Sequence, residues 1–153
     1  MTRIVVDNTL GDDSAFAEEI ERTQELLGDL AHPDKLFRPP GGGGALGPHL
    51  LNPEAARTLI DGAYTCVLWN AVPGDWKNPD TWVENALALC AEREHTLLVL
   101  HDLPSGAMRH LERFLDSGLE FTQEFPPGCV PLRRGRGSLA EYVDPLEHTD
   151  GVA

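Results

Sequence analysis

Residues 96–101 read TLLVLH, a run of side chains that is apolar on both faces of a strand. Such a run is typical of a central strand in a parallel sheet, because helices cover both faces of that sheet. Residues 64–70, YTCVLWN, make a second strong strand candidate. The two runs predict two strands of an α/β sheet.

Helices are expected to alternate with the strands along the chain. Asn52-Pro53 is a helix-start signal, a cap followed by a first-turn proline, and Gly62 closes the same helix. Other helices are expected to begin at Ser14, Asn78 and Ser105. Further short strands are expected at residues 3–6, 35–38 and 120–123. This alternation indicates an α/β fold with a largely parallel sheet.

Polar residues stand where several of these strands end. In parallel sheets the chemistry collects at the carboxyl ends of the strands. The candidates at these positions are Asp7, Asn8, Arg38, Asn70, Asp75, His101 and Asp102. Ordinary loop polarity explains the same pattern, so position alone leaves a functional and a structural interpretation open.

The composition excludes some classes of partner. The chain has 25 acidic against 12 basic side chains, a formal net charge of -13, which argues against nucleic acid and anionic membranes. Three cysteines without a CxxC pair indicate neither a disulfide framework nor a thiolate zinc site. The sequence has no apolar run of signal-peptide or membrane-spanning length, so we expect a cytoplasmic protein.

Three segments resemble a known family when taken together. Residues 37–41 read FRPPG, residues 68–69 and 75–77 read LW and DWK, and residues 98–102 read LVLHD. In order and spacing they resemble the third, fourth and fifth motifs of polysaccharide deacetylases, the NodB-homology family or carbohydrate esterase family 4. The resemblance covers about residues 7–135.

The resemblance implies a fold and an activity. The expected fold is an incomplete (β/α) deacetylase-type barrel with a largely parallel sheet, in a partial domain of residues 1–137 followed by an acidic tail of residues 138–153. The implied activity is hydrolysis of an acetyl amide or ester, and the implied ligand is a carbohydrate or small N-acyl molecule.

The resemblance also implies roles for three catalytic candidates. His101 would be the general acid that protonates the leaving amine. Asp75 would bond the far nitrogen of that imidazole and fix its tautomer. Arg38 would orient a catalytic aspartate through a charge-assisted hydrogen bond. A histidine that is hydrogen-bonded for structural reasons alone remains an open alternative for His101.

Four further residues would contact substrate. Trp76 would pack behind the acid–base pair, and Val99 stands where the family has a leucine lining the acetyl pocket. Pro40 and Gly41 open the glycine-rich loop, where a backbone contact to the substrate is expected.

The family's metal-binding motifs are not matched. The first motif supplies an aspartate base and a metal-binding aspartate and belongs several tens of residues before the second, where it is not found. Another alignment would read residues 11–13, GDD, as a remnant of it, but that alignment leaves too little chain before Arg38 for the intervening elements. The second, H-(S/T)-x-x-H, is best matched by residues 8–12, NTLGD, with Asn8 and Asp12 at the histidine positions. An amide oxygen and one carboxylate are poor zinc ligands beside two imidazoles. We therefore expect no cofactor in this chain, whereas intact family members bind zinc or another divalent metal.

Three interpretations of the function stay open: a deacetylase, a catalytically inactive relative or fragment that binds carbohydrate or a partner, and a longer protein whose gene start is misplaced. Missing barrel units would leave an uncovered strand edge at residues 4–6, so we expect a homodimer. The alternative is a monomer in which the segment from Phe125 folds back over the gap.

Overall fold

The structure is a computed structural model that describes residues 13–41 and 43–145. The chain forms two compact units, the first comprising Met1–Leu68 with Val130–Ala153 and the second Trp69–Cys129. No helix in the described part of the chain is long and apolar enough to cross a membrane.

Two helices of the first unit pack against each other. Helix α1 spans Asp13–Leu27 and packs against α2, which spans Pro53–Asp61. Helix α2 begins and ends where the sequence predicts: Asn52 Oδ1 accepts the Ala55 N–H at 2.7 Å, and Gly62 follows the last residue. The buried face of α2 consists of Ala55, Ala56 and Leu59.

The sheet lies in the first unit and has four short strands in sequential order. They are β1 (Leu36–Phe37), β2 (Thr65–Cys66), β3 (Leu132–Arg133) and β4 (Arg136–Gly137). Strands β1 and β2 pair in parallel, whereas β2–β3 and β3–β4 pair antiparallel. The described residues therefore form a mixed α/β fold with an open sheet. The expected barrel is not seen among them, and the sheet is only partly parallel.

The antiparallel part arises from a hairpin that the sequence analysis missed. Strands β3 and β4 are joined by Arg134 and Gly135, whose φ angles of 49° and 75° are those of a two-residue hairpin turn. A two-residue connection makes the two strands antiparallel, whereas a parallel pair needs a crossover of a dozen residues or more. The predicted strand at residues 3–6, the edge expected to form the homodimer, lies outside the described residues.

The segment after β4 is attached to the first unit. Leu51 donates its N–H to the Tyr142 carbonyl at 3.0 Å and accepts the Asp144 N–H at 3.1 Å. The part of the expected acidic tail that reaches Asp144 is therefore hydrogen-bonded to the first unit, and the boundary expected at residue 138 stays a prediction. Residues 146–153 lie outside the described part.

The second unit is built on two further helices. Helix α3 spans Trp82–Ala91, and α4 spans Leu111–Leu115 directly after the 3₁₀ helix Ala107–His110. Trp82 is fully buried, donates its Nε1–H to the Ala107 carbonyl at 2.8 Å, and packs against Phe114. In α4 Phe114 is buried, whereas the next residue, Leu115, is half exposed.

The two predicted central strands are shorter in the structure than in the sequence analysis. Only Thr65–Cys66 of residues 64–70 is a strand, and residues 96–101 pair through a single parallel bridge, Ala71↔Leu98. Residues 120–123 form no strand and are exposed.

Candidate functional site

Two segments of the second unit run side by side and end at the same edge. The Ala71 N–H donates to the Leu97 carbonyl at 3.3 Å, and the Val99 N–H donates to the Ala71 carbonyl at 3.1 Å. Because the segments are parallel, the residues that follow them emerge at the same end. Asp75 follows the first segment and His101 ends the second.

A tight turn directs Asp75 inward. Gly74 has a φ of 74°, a conformation that glycine adopts without strain. Its carbonyl accepts the N–H groups of Lys77 and Asn78 at 3.0 and 2.9 Å. The Asn85 side-chain amide donates to the Pro73 carbonyl at 3.2 Å, which ties the turn to α3.

Asp75 holds His101 at two points. Oδ1 of Asp75 lies 3.0 Å from Nδ1 of His101, and Oδ2 accepts the His101 backbone N–H at 2.8 Å. The Asp75 side chain is 0 % exposed, whereas the His101 side chain is 31 % exposed. The hydrogen bond expected between these residues is present, and both carboxylate oxygens are used. The role of the pair stays a prediction.

The position of the protons on the imidazole depends on the charge of its partner. With Asp75 ionised, the carboxylate only accepts hydrogen bonds, and Nδ1 of His101 then carries the proton that it donates to Asp75. Nε2 then holds a lone pair when the ring is neutral and a proton when it is charged. Nε2 makes no hydrogen bond with any described residue. The ring can therefore give or take a proton at Nε2.

Aromatic packing restricts the imidazole further. The rings of Trp76 and His101 meet edge to face, with centroids 4.7 Å apart and planes at 70°. The Lys77 Nζ lies 5.8 Å from the centroid of the Trp76 ring. Val99 is buried and stands two residues before His101, the spacing that places side chains on one face of an extended segment. The contacts of Trp76 and Val99 with a substrate stay predictions.

Three further sequence candidates lie in the first unit. Arg38, Pro40 and Gly41 directly follow β1, and Pro40 and Gly41 are exposed, whereas Pro39 between them and the strand is fully buried. The structure thus brings together Asp75, His101 and Trp76. It places the other three in a separate unit, and their roles stay predictions.

The side chains that could bind a metal ion are His, Cys, Asp and Glu. Within residues 13–41 and 43–145, no group of three or more His, Cys, Asp or Glu side chains is arranged to hold a metal ion. Asn8 and Asp12, the expected degenerate metal positions, lie outside the described residues. The expectation that the chain needs no cofactor stays a prediction.

Two supporting interactions could not be assigned from sequence. Asn70 bridges the start of the second segment, donating from Nδ2 to the His95 carbonyl at 3.1 Å and accepting the Leu97 N–H at 2.8 Å. The only signal was a polar residue that ends an apolar run. The bond from the His101 backbone to Asp75 depends on the path of the turn, which composition does not reveal.

No protein-family model, curated protein or solved structure matches this chain at a significant level. The resemblance to polysaccharide deacetylases rests on residues 37–41, 68–77 and 98–102.

Proposed function

We propose that this chain is a polysaccharide deacetylase-like protein, in which His101 and Asp75 are the proton-donating half of a site for an acetyl amide or ester on a carbohydrate. The observation that carries the proposal is a fully buried carboxylate that binds, with both oxygens, a histidine whose second ring nitrogen has no protein partner among the described residues. The sequence motifs supply the reaction class, and the pair supplies the proton chemistry.

The burial of Asp75 favours a working pair over a structural one. A buried carboxylate is unfavourable unless it is hydrogen-bonded, and a second backbone donor would satisfy it as well as an imidazole does. Here the second donor is instead a titratable ring that is about one-third exposed. A buried carboxylate that orients an accessible imidazole in this way occurs in known catalytic sites.

The proton step follows from the tautomer. When the C–N bond of an amide breaks, the nitrogen must gain a proton to leave as an amine. Charged His101 donates that proton from Nε2 and becomes neutral, while Asp75 keeps its bond to Nδ1 and stabilises the charged ring before transfer. Trp76 limits the rotation of the imidazole through its edge contact.

The proposal includes an incomplete (β/α) barrel. Its support is parallel pairing across a helical connection, between two strands in the first unit and through one isolated bridge in the second. In the first unit α2 connects β1 with β2, and in the second α3 connects the paired residues Ala71 and Leu98. Successive units of this kind build parallel barrels.

A second candidate is a relative that binds carbohydrate without turnover. It is favoured by one sequence observation, the asparagine and aspartate at positions 8 and 12 where deacetylases have histidines. Both candidates place the saccharide beside His101 and Trp76, and they differ in whether acetate is released.

Saccharide binding tests what the two candidates share. An N-acetylglucosamine oligomer is titrated into the full chain while tryptophan fluorescence is recorded. We expect a saturable change that is lost in Trp76→Leu, because the other two tryptophans, Trp69 and Trp82, are buried. Phe121→Leu, which removes an exposed aromatic ring elsewhere in the second unit, is the matched control and should leave the titration unchanged. No binding in the wild-type chain would overturn the proposal.

Acetate release separates the two candidates. Without the metal-binding histidines, we expect no release above background with or without added zinc, because a positioned acid alone contributes about 10²–10⁴-fold. Typical enzymes accelerate reactions by about 10⁶-fold or more. Release that His101→Ala abolishes and His110→Ala preserves would establish the enzyme and reject the inactive relative.

A further inference from the structure

The β3–β4 hairpin carries three arginines, of which one is paired. Arg134 bonds Asp34 through its guanidinium. The side chains of Arg133 and Arg136 are exposed and make no hydrogen bond or ion pair with any described residue. Other arginines in the described part do have acidic partners, as in Arg109–Asp80 and Arg113–Glu84. Two free cations side by side are unexpected in a chain of net charge -13.

The two arginines face each other across the hairpin. Arg133 and Arg136 are register partners in the antiparallel ladder. Side chains of directly opposed residues project from the same face with Cβ atoms about 5 Å apart, and like charges in this position destabilise the pair. An acidic residue at either position would have stabilised the hairpin. The arrangement therefore carries an unfavourable interaction in the free protein.

The backbone under the two arginines is fixed. Gly135 donates its N–H to the Tyr64 carbonyl at 2.8 Å, and the Arg134 N–H donates to the buried Oγ1 of Thr65 at 3.0 Å. A Cβ on Gly135 would lie 2.5 Å from the Ile60 carbonyl, so the turn fits closely against the end of α2. The side chains of Arg133 and Arg136 thus extend from a fixed backbone, which lowers the entropy lost when they bind a ligand.

We propose that Arg133 and Arg136 together bind one oxyanion, a carboxylate or phosphate group of a ligand. Guanidinium groups donate paired hydrogen bonds that match the geometry of both kinds of oxyanion. An anion between the two arginines replaces their mutual repulsion with two attractive contacts. This site is independent of His101 and of the proposed function. A carboxylate would come from an acidic saccharide, and a phosphate from a phosphorylated small molecule.

Calorimetric titration of the full chain at constant ionic strength tests the site with two probes, trigalacturonate for the carboxylate and inorganic phosphate for the other source. We expect one probe to bind, and Arg133→Gln or Arg136→Gln to weaken its binding about tenfold or more, since each removes charged hydrogen bonds. Arg22→Gln removes one positive charge from an exposed site on α1 and should change the affinity by less than about twofold. Equal losses in all three variants, or no binding of either probe at millimolar concentration, would overturn the proposal. Preferential binding of one probe identifies the source of the oxyanion.

Thermal unfolding is a second test, because a surface charge that binds no ligand would not make the melting temperature depend on the probe. The binding probe should raise the melting temperature of the wild-type chain and of Arg22→Gln, but not of the Arg133→Gln,Arg136→Gln double variant. Without probe, the double variant should be at least as stable as wild type, because the repulsion is removed. A double variant that the probe still stabilises would place the anion elsewhere and contradict the proposal.

Discussion

The described residues contain two buried polar side chains, Thr65 in the first unit and Asp75 in the second. Both face the same physical requirement, because a buried acceptor needs a donor. Thr65 accepts the Arg134 backbone N–H at 3.0 Å and so fixes the β3–β4 hairpin. Asp75 accepts from the backbone and the ring of His101, whose side chain reaches solvent.

The difference separates Thr65, a structural polar group, from Asp75, for which we propose a function. The Thr65 hydroxyl is neutral and its partner is a backbone N–H that never titrates, so both groups can be excluded from solvent. The Asp75 carboxylate can carry a charge, and its partner is a titratable ring. A charge is less favourable to bury than a hydroxyl, and here the side chain of its partner remains accessible to solvent. The exposure of the partner, rather than the burial of the acceptor, is therefore the feature that supports the role proposed for Asp75 and His101.

The reactivity of Cys66, the residue after Thr65, tests whether solvent is excluded from the Thr65 region. Burial raises the pKa of the Cys66 thiol to about 12. Its thiolate fraction at pH 8 is therefore about 10⁻⁴, and only the thiolate reacts. We expect alkylation of Cys66 to be about 1000-fold slower or more than alkylation of Cys90, which is partly exposed on α3.

The measurement is peptide mapping by mass spectrometry after timed alkylation. The urea-unfolded protein, in which both thiols are accessible, is the control and should label evenly. Equal labelling of Cys66 and Cys90 in the folded chain would show that solvent and reagent reach the Thr65 region. That result would contradict the contrast drawn between Thr65 and Asp75.

Removal of the buried carboxylate should give the largest change in stability. Asp75→Ala leaves two donors of His101 without their acceptor, so we expect the free energy of unfolding to fall by about 2–4 kcal/mol. Urea denaturation measures it. Asp102→Ala changes an exposed aspartate next to His101 and should stay within about 0.5 kcal/mol of wild type. If the two variants are equally stable, Asp75 does not hold His101 in solution.

A smaller loss is expected at Thr65. Thr65→Val keeps the shape of the side chain but removes the acceptor of the Arg134 N–H, so the free energy of unfolding should fall by about 1 kcal/mol. Thr23→Val, on the exposed surface of α1, loses a hydroxyl bonded to the Glu19 carbonyl and should change it less. A loss at Thr65 as large as that at Asp75 would remove the energetic contrast between the two regions.

Local signals in the sequence predicted the elements that local chemistry decides. Asn52, Pro53 and Gly62 delimit α2 as expected, since cap and first-turn proline act within a few residues. Residues 35–38 likewise contain β1. The contact of Asp75 with His101 was also predicted, although from the resemblance and not from local patterns.

Other features that depend on residues distant in sequence were not predicted. The β3–β4 hairpin was missed because Arg134-Gly135 is a weak turn signal, and its position depends on contacts with Tyr64 and Thr65. The strands at 64–70 and 96–101 were predicted too long, since an apolar run indicates burial but not how many residues find a ladder partner.

The central claim is that Asp75 fixes the His101 ring so that Nε2 faces a saccharide. Long-range ¹H–¹⁵N correlation spectra of the labelled chain observe both ring nitrogens directly. The account predicts that, in the neutral ring, Nδ1 of His101 is protonated and Nε2 is not, and that a saturating N-acetylglucosamine oligomer shifts the Nε2 signal. A neutral ring protonated at Nε2, or an Nε2 signal that the oligomer leaves unchanged, would contradict it.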